Sequence, residues 1–243
     1  MKDKKLLSDI KEYLKCYENQ VLEDWYELIR HISVSETGEG IETCCDWIQK
    51  KMEEIGIQVT KYSVKPAPVL VGRFGNDPEK KTVLIYAHYD VKPAGERKLW
   101  HSDPFVPTVR DGKVYARGSA DNKSPLMAHL KALEYFVRKK MEVPVNVIFV
   151  FEGDEECGSR GLEEFLTEHR TELAADLVFF SDGPKDPSGL PIIALGAKGD
   201  LSVHITVETM NRNVHARYAP VLPSAAWQLV EILGKCKSKD KIL

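Results

Sequence analysis

The stretch Val83-Leu84-Ile85-Tyr86-Ala87-His88 decides the fold, because a short apolar run stops here at a single imidazole. A run of this length with no polar residue before its end predicts a strand that is buried on both faces. Two further mostly apolar runs span 145–151 and 177–180, and helical patterns fill the intervals at about 122–140 and 161–172. Strands that alternate with helices are typical of an α/β domain with a largely parallel sheet. We therefore predict an α/β three-layer sandwich.

Ahead of this core, the sequence predicts two helical regions and two strands. Apolar residues recur at helical spacing over 6–31, in one helix or two, and again over 41–55. Strand patterns follow at 58–64 and 69–74. A long loop rich in Pro, Gly and charge comes after the core strand, and we predict a hairpin in it near Asp111-Gly112.

The pattern of apolar and polar residues changes after Gly196. Residues 201–207 alternate between apolar and polar, as a half-exposed strand does, and residues 223–234 have a helical pattern. One strand and one helix cannot bury a core of their own. We expect a main domain at 1–196 and the first part of a smaller α+β domain at 197–243.

Composition limits the classes of protein to which the chain can belong. The net charge is −3, and the hydrophobic and charged fractions are 43 % and 29 %, close to the averages for a globular protein. No basic stripe indicates nucleic-acid binding, and no apolar run approaches the ~20 residues that span a bilayer. The apolar stretch near the N-terminus is too short for a secretion signal. We expect a cytoplasmic protein without a nucleic-acid or membrane partner.

Acidic and imidazole groups follow all three predicted core strands. His88 ends the first strand, the acidic run 154–156 follows the second, Asp182 follows the third, and Asp121 precedes a helix. Functional groups of open α/β sheets gather at the carboxyl ends of the strands. So many carboxylates in one place repel one another unless a cation lies among them. Imidazole and carboxylate ligands favour zinc, with manganese or cobalt as alternatives.

The spacing within each segment is consistent with a metal site, although each segment alone also has an ordinary explanation. Alternate residues of a strand face the same way, so Asp90 can hydrogen-bond the ring nitrogen of His88 that does not bind metal. Of the neighbours Glu155 and Glu156, one can bind metal while the other acts as general base. Asp121 alone is equally explained as a helix cap. The combined pattern, in order along the chain, favours the metal site.

Four blocks of the sequence resemble those of the co-catalytic zinc exopeptidase family. This family includes aminoacylase, other deacylases, glutamate carboxypeptidase and carnosinase-type dipeptidases. The matching blocks are Tyr86–Ala94, Trp100 with Asp103–Phe105, Asp111–Lys123 and Phe151–Ser159. The Val-x-Pro-Ala and Arg-Gly-Ser-x-Asp runs are most similar to the carnosinase-type branch. The resemblance implies a phosphorylase/hydrolase-like fold with a lid domain after the catalytic part.

The resemblance also implies a role for each candidate residue. His88 and Asp182 would bind the first zinc, Asp121 would bridge two zincs before a cis peptide bond, and Glu156 would bind the second. Asp90 would orient His88, and Glu155 would be the general base. His215 would stabilise the oxyanion in the partner subunit of a homodimer formed through the lid, although its flanking residues differ from the family pattern. The implied reaction is hydrolysis of the amide bond of a small peptide or an N-acyl amino acid.

Relatives in this family are roughly twice as long as this chain. Their final catalytic segment carries a histidine that binds the second zinc, and no residue here matches it. Two hypotheses therefore stay open. The chain belongs to an active metallohydrolase whose remainder is supplied elsewhere, or it is a catalytically incomplete fragment that binds at most one metal, including a lid-mediated dimerisation module.

Overall fold

The computed structural model of the chain describes residues 2–183, 188–190, 192–194, 196, 198–199 and 201–237. The chain divides into two compact units, Met1–Pro184 and Lys185–Leu243. This division lies earlier than the predicted domain boundary after residue 196, which stays a prediction. Within the described part, no helix has the length and apolar character needed to cross a bilayer.

The first unit is built on a five-stranded sheet. The five strands are β1 (Gln58–Tyr62), β2 (Val69–Phe74), β3 (Thr82–His88), β6 (Asn146–Glu152) and β7 (Leu177–Phe180). Their order across the sheet is β1-β2-β6-β3-β7. Strands β6, β3 and β7 are parallel to one another, whereas β2 runs antiparallel to both β6 and β1. The predicted strand at 58–64 is thus slightly shorter than expected. The parallel part of the sheet is the part predicted from the three apolar runs.

Helices cover both faces of this sheet. The four helices of this unit are α1 (Lys2–Arg30), α2 (Ile41–Glu54), α3 (Lys123–Arg138) and α4 (Leu162–Glu168). Residues of α1, α2 and α3 pack with Phe149 and Phe151 on one face, and Phe165 of α4 packs with Val150 on the other. The predicted α/β three-layer arrangement is confirmed. The region 6–31, predicted as one helix or two, belongs to the single helix α1, which ends at Arg30.

The hairpin predicted near Asp111-Gly112 is present. Strands β4 (Thr108–Arg110) and β5 (Lys113–Tyr115) pair antiparallel across these two residues. Both turn residues have positive φ, 49° for Asp111 and 69° for Gly112. Two-residue turns of this kind match the twist of the flanking strands, and Asp and Gly tolerate the left-handed conformation best.

Strand β7 differs from the prediction of a buried strand. Its four residues are about half exposed, from 49 % for Phe179 to 60 % for Val178. The strand pairs with β3 only and lies at the edge of the sheet. A short apolar run is therefore not a sufficient sign of burial, because burial also depends on the elements that cover the strand.

The second unit contains fewer regular elements than expected. Residues 201–207, predicted as a half-exposed strand, have no strand conformation, and no strand occurs in the parts of this unit that the structure describes. A strand needs a partner to form its ladder, and alternation alone does not provide one. The predicted helix is confirmed as α5 (Ala225–Cys236). The Ser224 hydroxyl caps this helix by accepting a hydrogen bond from the Trp227 backbone N–H at 3.4 Å.

We expect Phe149→Ala to lower the free energy of unfolding by about 3–5 kcal/mol. Phe149 is fully buried on the central strand β6, with its ring 5.5 Å from that of Phe151. Phe179→Ala is the matched control, because it removes an equal side chain from β7, where Phe179 is half exposed. Urea unfolding followed by tryptophan fluorescence measures both variants. Equal losses for the two variants would contradict the assignment of the core to β6.

Candidate metal centre

The candidate site lies at the carboxyl ends of the three parallel strands. His88 is the last residue of β3, the acidic run 154–156 follows β6, and Asp182 lies two residues beyond β7. Asp121 precedes α3, which begins at Lys123. Because the three strands are parallel and adjacent, their carboxyl ends meet at one edge of the sheet. Segments far apart in the sequence thus contribute to one place.

Three carboxylates surround the Nε2 atom of His88. This atom lies 3.0 Å from Asp121 Oδ1, 3.4 Å from Asp182 Oδ2 and 3.8 Å from Glu155 Oε2. In the described part of the chain, one group of three metal-binding side chains comes together, with donor atoms of His88, Asp121 and Asp182 all within 4.8 Å of one another. One imidazole and two carboxylates suit a divalent ion of the zinc type.

Asp90 holds the other side of the same imidazole. Its Oδ1 atom lies 3.2 Å from His88 Nδ1, and both side chains are fully buried. The carboxylate also accepts hydrogen bonds from the backbone N–H groups of Glu155, at 3.1 Å, and Glu156, at 3.0 Å. Asp90 therefore fixes the ring orientation of His88 and joins the end of β3 to the short 3₁₀ helix at Glu155–Cys157.

The charges around His88 change its proton affinity and that of Asp90. Burial lowers the pKa of His88, but hydrogen bonding to Asp90 and the nearby carboxylates outweigh burial and raise it to about 9. Burial likewise raises the pKa of Asp90, but hydrogen bonds from His88 and Ser35 outweigh it and hold the pKa below its usual range. The centre thus carries excess negative charge and favours a cation. A metal ion would compete with a proton for Nε2 of His88.

Glu155 lies beside the cluster, and its carboxylate is partly open to solvent. Its side chain is 36 % exposed and its Oε2 atom lies 3.8 Å from His88 Nε2. Burial raises the pKa of the Glu155 carboxyl, His88 opposes this increase, and the charges of Glu156 and Asp182 add to it. A carboxylate with a raised pKa at the edge of a charged cluster has the properties of a general base.

Two residues beside Asp121 support the centre, and sequence reasoning gave them no role. The fully buried Asn122 donates through Nδ2 to the Ser181 carbonyl at 2.8 Å, which joins the start of α3 to the segment that carries Asp182. Lys123 is also buried, and its ammonium donates to the carbonyls of Leu28, at 3.1 Å, and His31, at 2.6 Å. These carbonyls lie at the C-terminal end of α1, where a cation is favourable. No periodicity distinguishes either residue in the sequence.

The peptide bond between Asp121 and Asn122 is cis, as the family resemblance implies.

Gly153 lies against an aromatic ring near the centre, because a Cβ atom at this position would lie 2.5 Å from the ring of Tyr89. The Tyr89 side chain is fully buried and its hydroxyl donates to the Pro68 carbonyl at 2.7 Å. Only glycine allows the segment between β6 and Glu155 to pass over this ring.

Glu156 is next to the cluster, but its carboxylate is directed to a lysine. Its Oε2 atom lies 3.4 Å from the Lys92 ammonium, which also donates to the Glu156 backbone carbonyl. The predicted role of Glu156 as a ligand of a second ion stays a prediction. Lys92 had no role in the sequence analysis, where it is one residue of the matching block Tyr86–Ala94.

His215 lies in the second unit and is exposed. It precedes the short 3₁₀ helix Ala216–Tyr218, and its Nδ1 atom accepts a hydrogen bond from the Arg217 backbone N–H at 3.2 Å. A local hydrogen bond therefore occupies the Nδ1 atom of His215. Its role as an oxyanion donor stays a prediction.

Comparison with known proteins identifies close similarity to one group of enzymes. The sequence pattern of peptidase family M20/M25/M40 matches residues 84–238. The Cys-Gly metallodipeptidase dug1 of Schizosaccharomyces pombe is 38 % identical over 172 residues, which are 68 % of this chain and 36 % of that protein. The human Beta-Ala-His dipeptidase is 35 % identical over 170 residues, 69 % of this chain and 34 % of that protein. The predicted carnosinase-type branch agrees with both.

A solved structure gives the same result for the fold. The M20 family metallo-carboxypeptidase Sso-CP2 from Sulfolobus solfataricus superposes with a TM-score of 0.81 and 32 % identity, over 92 % of this chain and 51 % of that one. The chain thus spans about a third to a half of the length of these relatives.

Proposed function

Since the chain belongs to peptidase family M20/M25/M40, we propose that it forms the metal-binding part of a hydrolase that cleaves the amide bond of dipeptides or N-acyl amino acids. The observation that carries this proposal is the cluster of His88, Asp121 and Asp182 at the carboxyl ends of the parallel strands, with Glu155 beside it. The two relatives named above act, by their names, on Cys-Gly and β-Ala-His, which favours dipeptides over acylated amino acids.

The donor set suits zinc, with manganese or cobalt as alternatives. His88, Asp121 and Asp182 would hold one ion, and Asp121 with Glu156 would hold a second. A divalent ion here would act as a Lewis acid towards the substrate carbonyl and would lower the pKa of water. Asp90 would keep the His88 ring in the orientation and tautomer that present Nε2 to the centre.

Glu155 would transfer the proton. Its carboxylate would accept a proton from the water whose oxygen forms the new bond to the substrate carbonyl carbon. The same carboxyl would then donate this proton to the amine nitrogen as the carbon–nitrogen bond breaks. Burial raises the pKa of the Glu155 carboxyl, which makes it a better proton acceptor than an ordinary glutamate.

The family resemblance adds two elements to this proposal. A complete molecule would form a homodimer through the second unit, and His215 of one subunit would stabilise the oxyanion in the other. Removing a single oxyanion donor costs ~10²–10³ in turnover in enzymes where it has been tested. The exposure of His215 is compatible with contact to another subunit.

A second candidate function follows from the incomplete second site. Within the described residues, the sequence-predicted ligands of that site are two carboxylates, and one of them is paired with Lys92. A chain in this state would bind a single ion and would not turn over substrate. This alternative is the catalytically incomplete fragment.

If the chain is the active hydrolase, the purified protein should hydrolyse Cys-Gly or β-Ala-His in the presence of zinc and should lose this activity when EDTA removes the metal. N-acetyl amino acids should be poorer substrates. Isothermal titration calorimetry would give the zinc stoichiometry, and amine release would give the rate. About two ions and EDTA-sensitive turnover support the hydrolase. One ion and no turnover support the fragment, and no ion at all would contradict the hydrolase and favour the dimerisation module.

A further inference from the structure

Lys92 is a positively charged residue that is paired with Glu156 beside the acidic centre, and its backbone is held on both sides. Val91 before it is buried, and the Val91 N–H donates to the Ser33 carbonyl at 2.8 Å. The Pro93 carbonyl after it accepts a hydrogen bond from Arg117 Nη2 at 3.1 Å. The side chain of Lys92 therefore extends from a fixed point of the chain.

The Lys92 ammonium makes two contacts with Glu156. It pairs with the carboxylate at 3.4 Å and donates to the backbone carbonyl of the same residue. The Glu156 side chain is only 14 % exposed, whereas that of Lys92 is 54 % exposed. The Glu156 carboxylate is thus largely buried against one cation that the protein itself supplies. The contact with the backbone carbonyl is separate from the contact with the carboxylate.

From this arrangement we propose that Lys92 acts as an internal counter-cation that opposes the second metal ion. The inference deepens the proposed function and rests on it, since it concerns the ion that Asp121 and Glu156 would share. Any divalent ion on Glu156 would lie close to the ammonium, and like charges at such separations repel. The ion must either displace the ammonium from Glu156 or bind beside it.

Two metal ions would consequently bind in separate steps. The ion held by His88, Asp121 and Asp182 meets no such cation in the described contacts of these side chains and binds first. The second ion binds only at a higher metal concentration, so its occupancy follows metal supply. Solvent screening reduces the effect, because Lys92 is more than half exposed. We therefore expect a difference of about tenfold in the second dissociation constant rather than several orders of magnitude.

The test is a zinc titration of the full 243-residue chain and of three variants by calorimetry. Lys92→Gln should tighten the second binding step about tenfold and leave the first unchanged. Lys92→Arg, which keeps the charge, should retain the weak second step. Lys98→Gln is the matched control, because Lys98 is an exposed lysine paired with Glu96 at 2.7 Å, and it should match the wild type. The effect of Lys92→Gln should also shrink as salt is added.

Each remaining outcome decides the question. If Lys92→Gln and the wild type give the same titration curve, or if the second step weakens in Lys92→Gln, the inference about Lys92 is wrong while the metal centre stands. If none of the four proteins binds zinc, the proposed function itself fails and the inference with it. Circular dichroism without metal checks that the variants keep the wild-type fold.

Discussion

Replacing Asp121 with alanine should remove metal binding from the centre. Asp121 Oδ1 lies 3.0 Å from His88 Nε2, and the same carboxylate is the proposed bridge between the two ions. Replacing a residue that does not touch the metal but orients one of its ligands typically weakens metal affinity by ~10–100-fold. Loss of a ligand shared by both ions should cost at least about 100-fold for each. Zinc titration by calorimetry measures this loss directly.

The matched control for this change is Asp46→Ala. It removes a carboxylate that is 64 % exposed on α2 and pairs with Lys61 at 2.6 Å, away from the centre. This variant should bind zinc as the wild type does. An Asp121→Ala protein that still binds two ions with unchanged affinity would refute the bridging role.

Glu155→Gln should abolish turnover while the protein keeps its metal. Glutamine has nearly the same shape as glutamate but cannot accept the proton, and positioned general bases contribute ~10²–10⁴-fold to rates. The backbone N–H of Glu155 would still donate to Asp90, so the local structure should persist. Zinc content and the rate of Cys-Gly hydrolysis, measured on the same preparation, separate the two effects.

Glu163→Gln provides the comparison for this variant, because Glu163 is an exposed residue in the first turn of α4. Its rate should equal that of the wild type. A Glu155→Gln rate within a factor of a few of wild type would show that another group takes the proton. Loss of zinc together with turnover would instead indicate a role in metal binding.

Much of the fold and of the centre followed from short-range patterns. The apolar run ending at His88 predicted strand β3, which lies between β6 and β7, and the parallel arrangement then brought the following polar residues to one edge. That inference works because a parallel sheet aligns all carboxyl ends, whatever the lengths of the segments between them. Asp90 lies beside His88 as predicted from strand alternation, although β3 ends at His88 and Asp90 belongs to the segment that follows it.

Other features depended on contacts that no local pattern encodes. Strand β7 is exposed because burial depends on the elements that pack over a strand. Residues 201–207 form no strand because a strand needs a neighbouring strand to pair with. The positions of Asn122 and Lys123 follow from contacts with Ser181 and with the end of α1, which are far away in the sequence. The pairing of Lys92 with Glu156 joins residues 64 positions apart and is equally hidden in the sequence.

The edge position of β7 has a consequence for the behaviour of the chain in solution. Its apolar side chains are half exposed, and one side of its backbone carries amide and carbonyl groups that no other strand in the described residues uses. Such an edge is a template on which an extended segment of another molecule can extend the sheet. In a preparation of this chain by itself, strand pairing between molecules is therefore expected to begin at Leu177–Phe180 and to increase with protein concentration.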